Sequence, residues 1–125
     1  MPSIFMSLGT NLIFQNQIVN LTYGYTYEFT CVAKNSRPLV SLLVIADNGY
    51  LNAFGNQTFS VAQSYSQCDT KSVCTTGLVF NLSFNDKKLQ SIKTITCQAL
   101  NTTLPYDMNT ANSINVNIIN ALQTK

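Results

Sequence analysis

The chain is 125 residues long, 46% apolar and 10% charged, with a net charge of +2, enough for one hydrophobic core and too few residues for two comfortable ones. Its seven basic residues are scattered, with Lys87-Lys88 the only doublet, which excludes the cationic stripe expected of a nucleic-acid or acidic-membrane binder. Charge falls well below the usual share of about 25%, so the surface is wetted instead by 15 Asn, 11 Ser and 14 Thr, side chains that compete for backbone hydrogen bonds and disfavour long helices.

Residues 1–24 read as a weak edge region, with short strands possible at 11–14 and 17–21 and a turn at Gly24. Residues 25–33 are the first clear strand: Tyr27, Phe29, Cys31 and Ala33 fall on one face by the period of two. A turn follows at 34–38, where Pro38 cannot sit inside a central strand. Residues 39–46 are the most apolar segment, closed by the turn signal Asp47-Asn48-Gly49. Such a run is either buried on both faces or has one face waiting for a partner. Residues 50–57 look irregular, and 58–65 alternate weakly. Residues 78–84 alternate best, with Leu78, Phe80, Leu82 and Phe84 on one side. Residues 93–100 form a second cysteine strand through Ile95, Cys97 and Ala99, and 114–118 the last strand through Ile114, Val116 and Ile118. Close turns and the absence of helical periodicity imply an all-β, two-sheet sandwich.

The four cysteines are spaced by 37, 6 and 23 residues, and the chain has no histidine. Zinc sites draw on close Cys pairs or on Cys with His, so disulfides in an oxidising compartment are the expectation. Four cysteines allow three connectivities. The one expected is Cys31–Cys97, joining the two cysteine strands, with Cys68–Cys74 closing a local polar loop. The first eight residues lack the features of a signal peptide, and no apolar run reaches the roughly 18 residues of a membrane helix. The expectation is therefore a fragment of a longer ectodomain.

Catalysis has little to draw on. Without histidine there is no imidazole base or triad. The five carboxylates, Glu28, Asp47, Asp69, Asp86 and Asp107, lie mostly in turns, where Asx residues belong for conformational reasons. No glycine-rich phosphate loop is present, and no cofactor or metal is implied. Four Asn-x-Ser/Thr sequons, at Asn20, Asn56, Asn81 and Asn101, are candidate glycosylation sites if the chain is secreted by a eukaryote. That number is close to what so Asn-, Ser- and Thr-rich a composition gives by chance.

Two segments carry a family likeness. The first is Cys31-x-Ala33-x-x-Ser36-Arg37-Pro38, with Gly24 seven residues before the cysteine. The second is Lys93-Thr94-x-Thr96-Cys97-Gln98-Ala99-Leu100-Asn101. Together with Asp47-Asn48-Gly49 and Leu82-x-Phe84 they resemble the immunoglobulin superfamily, most closely C2-type domains of nephrin- and nectin-like adhesion receptors. The likeness spans about residues 22–101. It implies one immunoglobulin-like Greek-key domain over 1–125, with a core of about 11–120. Three positions depart from the family: Val44 stands where a core tryptophan is usual, Ile95 replaces the tyrosine two before the second cysteine, and Gln90-Ser91-Ile92 replaces Asp-x-Gly.

The resemblance also divides the strands between two sheets. Asn81, between inward Phe80 and Leu82, would point out from one sheet. With Val44 inward, Leu43 and Ile45 point out from the other, joined there by Tyr50, Gln98, Leu100 and Ile119. These six residues form the expected protein-binding face, unless a neighbouring strand over residues 50–54 or another domain covers it. The function implied is recognition of a protein ligand, either the same protein on another cell or a different surface protein. The implied setting is the extracellular part of a single-pass membrane receptor working in cell adhesion. Immune-type recognition and a spacer role share the fold.

Overall fold

A computed structural model describes residues 3–14, 16–36, 39–47, 49–100 and 110–120. The strands are β1 Ser3–Leu8, β2 Asn11–Ile13, β3 Ile18–Tyr23, β4 Thr26–Ser36, β5 Ser41–Ala46, β6 Gly49–Tyr50, β7 Phe59–Cys68, β8 Cys74–Ser83, β9 Thr94–Leu100 and β10 Thr110–Asn120. They form two five-stranded sheets, ordered β2-β1-β4-β8-β7 and β3-β10-β9-β5-β6. All neighbours are antiparallel except β3 and β10, which run parallel.

The core is the sum of the inward faces. In β4, Phe29, Cys31 and Ala33 are buried; in β8, Phe80 and Leu82; in β9, Ile95, Cys97 and Ala99; in β10, Ile114 and Val116. Alternation places them, as the period of two requires. Cys31 and Cys97 are bonded across the sheets, with Cα atoms 6.5 Å apart. Val44, at the position the family gives to tryptophan, is buried opposite Cys97. Aromatic mass is supplied instead by Phe29 stacked on Phe80 at 5.5 Å and Phe59 tilted against Phe80 at 5.3 Å. Offset and tilted rings at such separations are favourable arrangements.

Three elements differ from the sequence expectation. The opening residues are a full strand rather than a weak edge: β1 pairs along β4 from Ser3↔Lys34 to Leu8↔Phe29, and the buried cluster reaches back to Ile4 and Met6. Alternation is masked in β1 because outward Phe5 is also apolar. Second, β4 runs on to Ser36 through a register shift after Ala33, with Asn35 at φ 60°. The extra residue of the bulge returns Ser36 to the buried side. Third, β7 and β8 extend the weak 58–65 segment and the 78–84 strand into one long hairpin, ending at the pair Cys68↔Cys74. Its turn is set by Asp69, whose carboxylate accepts from the N–H groups of Lys71 and Val73 at 2.8 and 3.0 Å. Arg37, Pro38 and residues 101–109 lie outside the described residues.

Short polar corners hold the strands in place. Gly24, at φ 96° in the β3–β4 corner, donates its N–H to the Phe84 carbonyl at 2.7 Å, a left-handed conformation natural to glycine. The Tyr27 hydroxyl accepts from the Thr22 N–H at 2.8 Å and so ties β4 back to β3 in the other sheet. One Asp47 carboxylate oxygen accepts from the N–H groups of Lys93 and Thr94, both at 2.9 Å, and fixes the end of β5 to the start of β9. Asn112, buried in β10, donates to the Ile4 carbonyl in the facing sheet at 2.9 Å.

Candidate protein-binding face

On the second sheet the side chains alternating with the core residues form a shallow, twisted outer surface. Ladder register sets its rows. Ser41 faces Leu100; Leu43 faces Gln98, which faces Ala111; Ile45 lies between Tyr50 and Thr96, and Thr96 faces Ser113. Thr96 and Ser113 share a hydroxyl hydrogen bond of 2.7 Å. Five of the six expected face residues, Leu43, Ile45, Tyr50, Gln98 and Leu100, therefore fall on three adjoining strands.

Ile119 does not join them. It pairs with Thr22 at the far end of β10 and lines a separate depression with Tyr23 and Gln90. The chain advances about 3.4 Å per residue, and Ile119 lies six positions along β10 from Ser113, the residue level with Ile45. Tyr50 is 56% exposed, whereas Leu43 and Ile45 are only half-buried, flanked by their cross-strand neighbours. The strand that could cover them is short: β6 is two residues long and gives way to a 3-10 turn at Leu51–Ala53. Among the described residues β6 flanks β5 only at Ile45 and Ala46, and no strand pairs with the rest of that side. Leu43 there lines a groove with Leu42, Val44, Phe59, Val61 and Leu78.

Two of the four sequons lie on strands, one in each sheet. Asn81 lies mid-sheet in β8, between Glu28 and Ser60, on the outer face of the first sheet. Asn20 is exposed on β3, beyond β10 and β9 from Ile45, and its amide oxygen accepts from Asn117 at 3.1 Å. A glycan at Asn20 would therefore stand on the same sheet as the expected binding face, two strands removed from it. Asn56 is exposed in the turn before β7, and Asn101 lies outside the described residues.

The sequence reading did not anticipate a second apolar row on the opposite sheet. Tyr65, Gly77, Val32 and Phe5 are register partners across β7, β8, β4 and β1. The Tyr65 ring occupies the space that a side chain at position 77 would need, and the Lys34 ammonium lies 5.6 Å from the centre of the Phe5 ring. Val32 was the available signal, an apolar residue among the outward Thr26, Glu28 and Thr30. At the margin between the sheets, residues 39–42, 64–66 and 76–78 line an open groove, bridged by the Thr76 hydroxyl donating to the Val40 carbonyl at 3.2 Å.

The two interleaved sheets, bridged by Cys31–Cys97 behind a β5 to β9 pairing, match a solved architecture. The crystal structure of the mouse nectin-like molecule 4 full ectodomain, Ig1–Ig3, aligns with a TM-score of 0.57 and 16% sequence identity. The alignment covers 95% of this chain and 33% of that one. The fold is immunoglobulin-like. No family model and no curated protein matches the sequence, so the likeness is one of architecture. This immunoglobulin-like domain spans a third of the length of the ectodomain it matches.

Proposed function

We propose that this domain is a protein-recognition module from the extracellular part of a cell-surface receptor anchored by a single membrane span. It acts in adhesion by engaging a second copy or a different surface protein through the outer face of β5, β6 and β9. The observation that carries this reading is the adjacency of Leu43, Ile45, Tyr50, Gln98 and Leu100 on a sheet surface, none of them charged. Apolar side chains gathered on one exposed face, rimmed by Thr and Ser, suit a protein partner better than bulk water. Two disulfides and no free cysteine suit an oxidising, extracellular setting. The likeness in fold to a nectin-like ectodomain is in keeping with the same class. The reading requires neither cofactor nor catalytic group.

The test is to display the domain on cells and measure aggregation and binding to other cells, beside the single variants Leu43→Arg and Ile45→Arg. A charge at either position should reduce binding at least tenfold, since it must be desolvated at the contact, while both variants keep the parent circular dichroism spectrum. Undiminished binding by both variants would remove this face from consideration.

A further inference from the structure

Among the described residues the longest edge strand of the sandwich is β7. Among the described residues it pairs only with β8, and residues 61–68 are all exposed. Of the other outer strands, β2 has three residues, β6 has two, and β3 carries the Asn20 sequon. The ten residues of β7 contain no charge and no proline, two of the devices that keep one sheet edge from pairing with another. A register shift between Val61 and Gln63 bends only its first part.

The hairpin fixes which backbone groups of β7 face outward. Cys68 and Cys74 are a cross-strand pair with Cα atoms only 4.0 Å apart, the mark of a narrow, non-hydrogen-bonded pair. The adjoining pair, Asp69 and Val73, carries a ladder bond of 3.0 Å. Alternation then turns the N–H and C=O of Gln63, Tyr65 and Gln67 toward β8, and those of Ser64 and Ser66 toward the free edge. The Tyr65 side chain stands on the sheet's outer face, with its ring held over Gly77.

Residues 63–67 read Gln-Ser-Tyr-Ser-Gln, the same in both directions. We infer that this edge pairs with the same edge of a second copy, antiparallel about a two-fold axis through Tyr65. Every residue then meets its own kind. Gln63 faces Gln67 of the second copy, Ser64 faces Ser66, and Tyr65 faces Tyr65 at the axis, each ring staying over the Gly77 of its own chain. The backbone phase agrees with the side-chain palindrome. The outward groups of Ser64 and Ser66 meet in hydrogen-bonded pairs, and Tyr65 sits in the narrow pair between them. An isologous contact of this kind closes at two copies. It joins two five-stranded sheets into one continuous sheet. Of the sequons near β7, Asn56 lies in the turn before the strand and Asn81 is level with Ser60, so neither stands beside residues 63–67. Five residues a side make a contact below the roughly 1,200 Å² of stable interfaces, hence a weak dimer that matters when copies are concentrated on one surface. It leaves the outer face of β5, β6 and β9 open and does not depend on the function proposed for that face.

Sedimentation equilibrium from about 10 μM to about 1 mM tests the pairing over the range where a weak dimer forms. The unchanged chain should dimerise as concentration rises. Gln63→Lys with Gln67→Lys sets like charges against each other at both ends and should leave a monomer. Gln63→Lys with Gln67→Glu sets opposite charges face to face and should tighten the dimer by about three- to tenfold. All of these side chains are exposed, so unchanged melting temperatures verify the fold. Leu43→Arg should dimerise like the parent. A parent that stays monomeric at the highest concentration overturns the inference. So does a double-lysine variant that dimerises normally, or a Leu43→Arg variant that does not dimerise.

Discussion

At the scale of single residues, one hydroxyl stands where the family resemblance left a gap. The tyrosine two before the second cysteine is replaced by Ile95, which is fully buried. The comparable tie in this domain comes from Tyr27, whose hydroxyl accepts the Thr22 N–H while its ring meets Phe84 edge-on at 5.8 Å. The bond links strands of opposite sheets around the Gly24 corner, so it restrains how β3 enters the second sheet. Tyr27→Phe keeps the ring and removes the acceptor, and should cost about 1–2 kcal/mol, the usual penalty for leaving a partly buried N–H without its partner. Urea denaturation reads it directly: an unchanged midpoint would mean that water replaces the hydroxyl at no cost. No sequence rule pointed to this bond, because Tyr27 is legible only as one more inward member of an alternating strand.

Element by element, legibility followed the contrast between a strand's two faces. β4, β8, β9 and β10 each bury one face more deeply than the other, so alternation alone located them and most of their core residues. β1 and β7 fail that test for opposite reasons. β1 has apolar residues on both faces, Ile4 and Met6 inward and Phe5 outward beneath Lys34. β7 buries only its first residue, Phe59, and is held by its ladder to β8 rather than by a pattern of its own. The consequence is sharpest at Met6, which the sequence placed in a peripheral region but which is fully buried and paired with Cys31. Met6→Ala should therefore cost about 2–5 kcal/mol, as for other large core side chains cut back to alanine. Guanidinium unfolding supplies the test, and a loss under about 1 kcal/mol would mean that β1 is an ornament on the sheet rather than part of its core.

For the whole molecule, the sandwich and the pairing of its cysteines were legible because both rest on periodicity and strand placement. The candidate face was legible only in part: the pattern gives a side chain's direction, but not how far along a sheet its neighbours lie, so Ile119 points outward as expected yet stands apart. The two disulfides show the same dependence on distance along the chain. Cys31–Cys97 spans 66 residues and links the sheets, whereas Cys68–Cys74 spans 6 within one hairpin. In the chain-entropy account the longer loop is worth about 4 kcal/mol and the shorter about 2, set against a net stability of about 5–15 kcal/mol for a typical domain. Local structure widens the difference. The hairpin turn is already closed by the Asp69 hydrogen bonds, and its Cys68 is exposed, while Cys31 and Cys97 are wholly buried and their removal leaves a void. Cys31→Ala with Cys97→Ala should lower the melting temperature by roughly 15 °C or more, and Cys68→Ala with Cys74→Ala by less than about half of that. Calorimetry of the two double variants decides it: equal losses would mean that the hairpin bond contributes as much to the stability of the domain as the bond between the sheets.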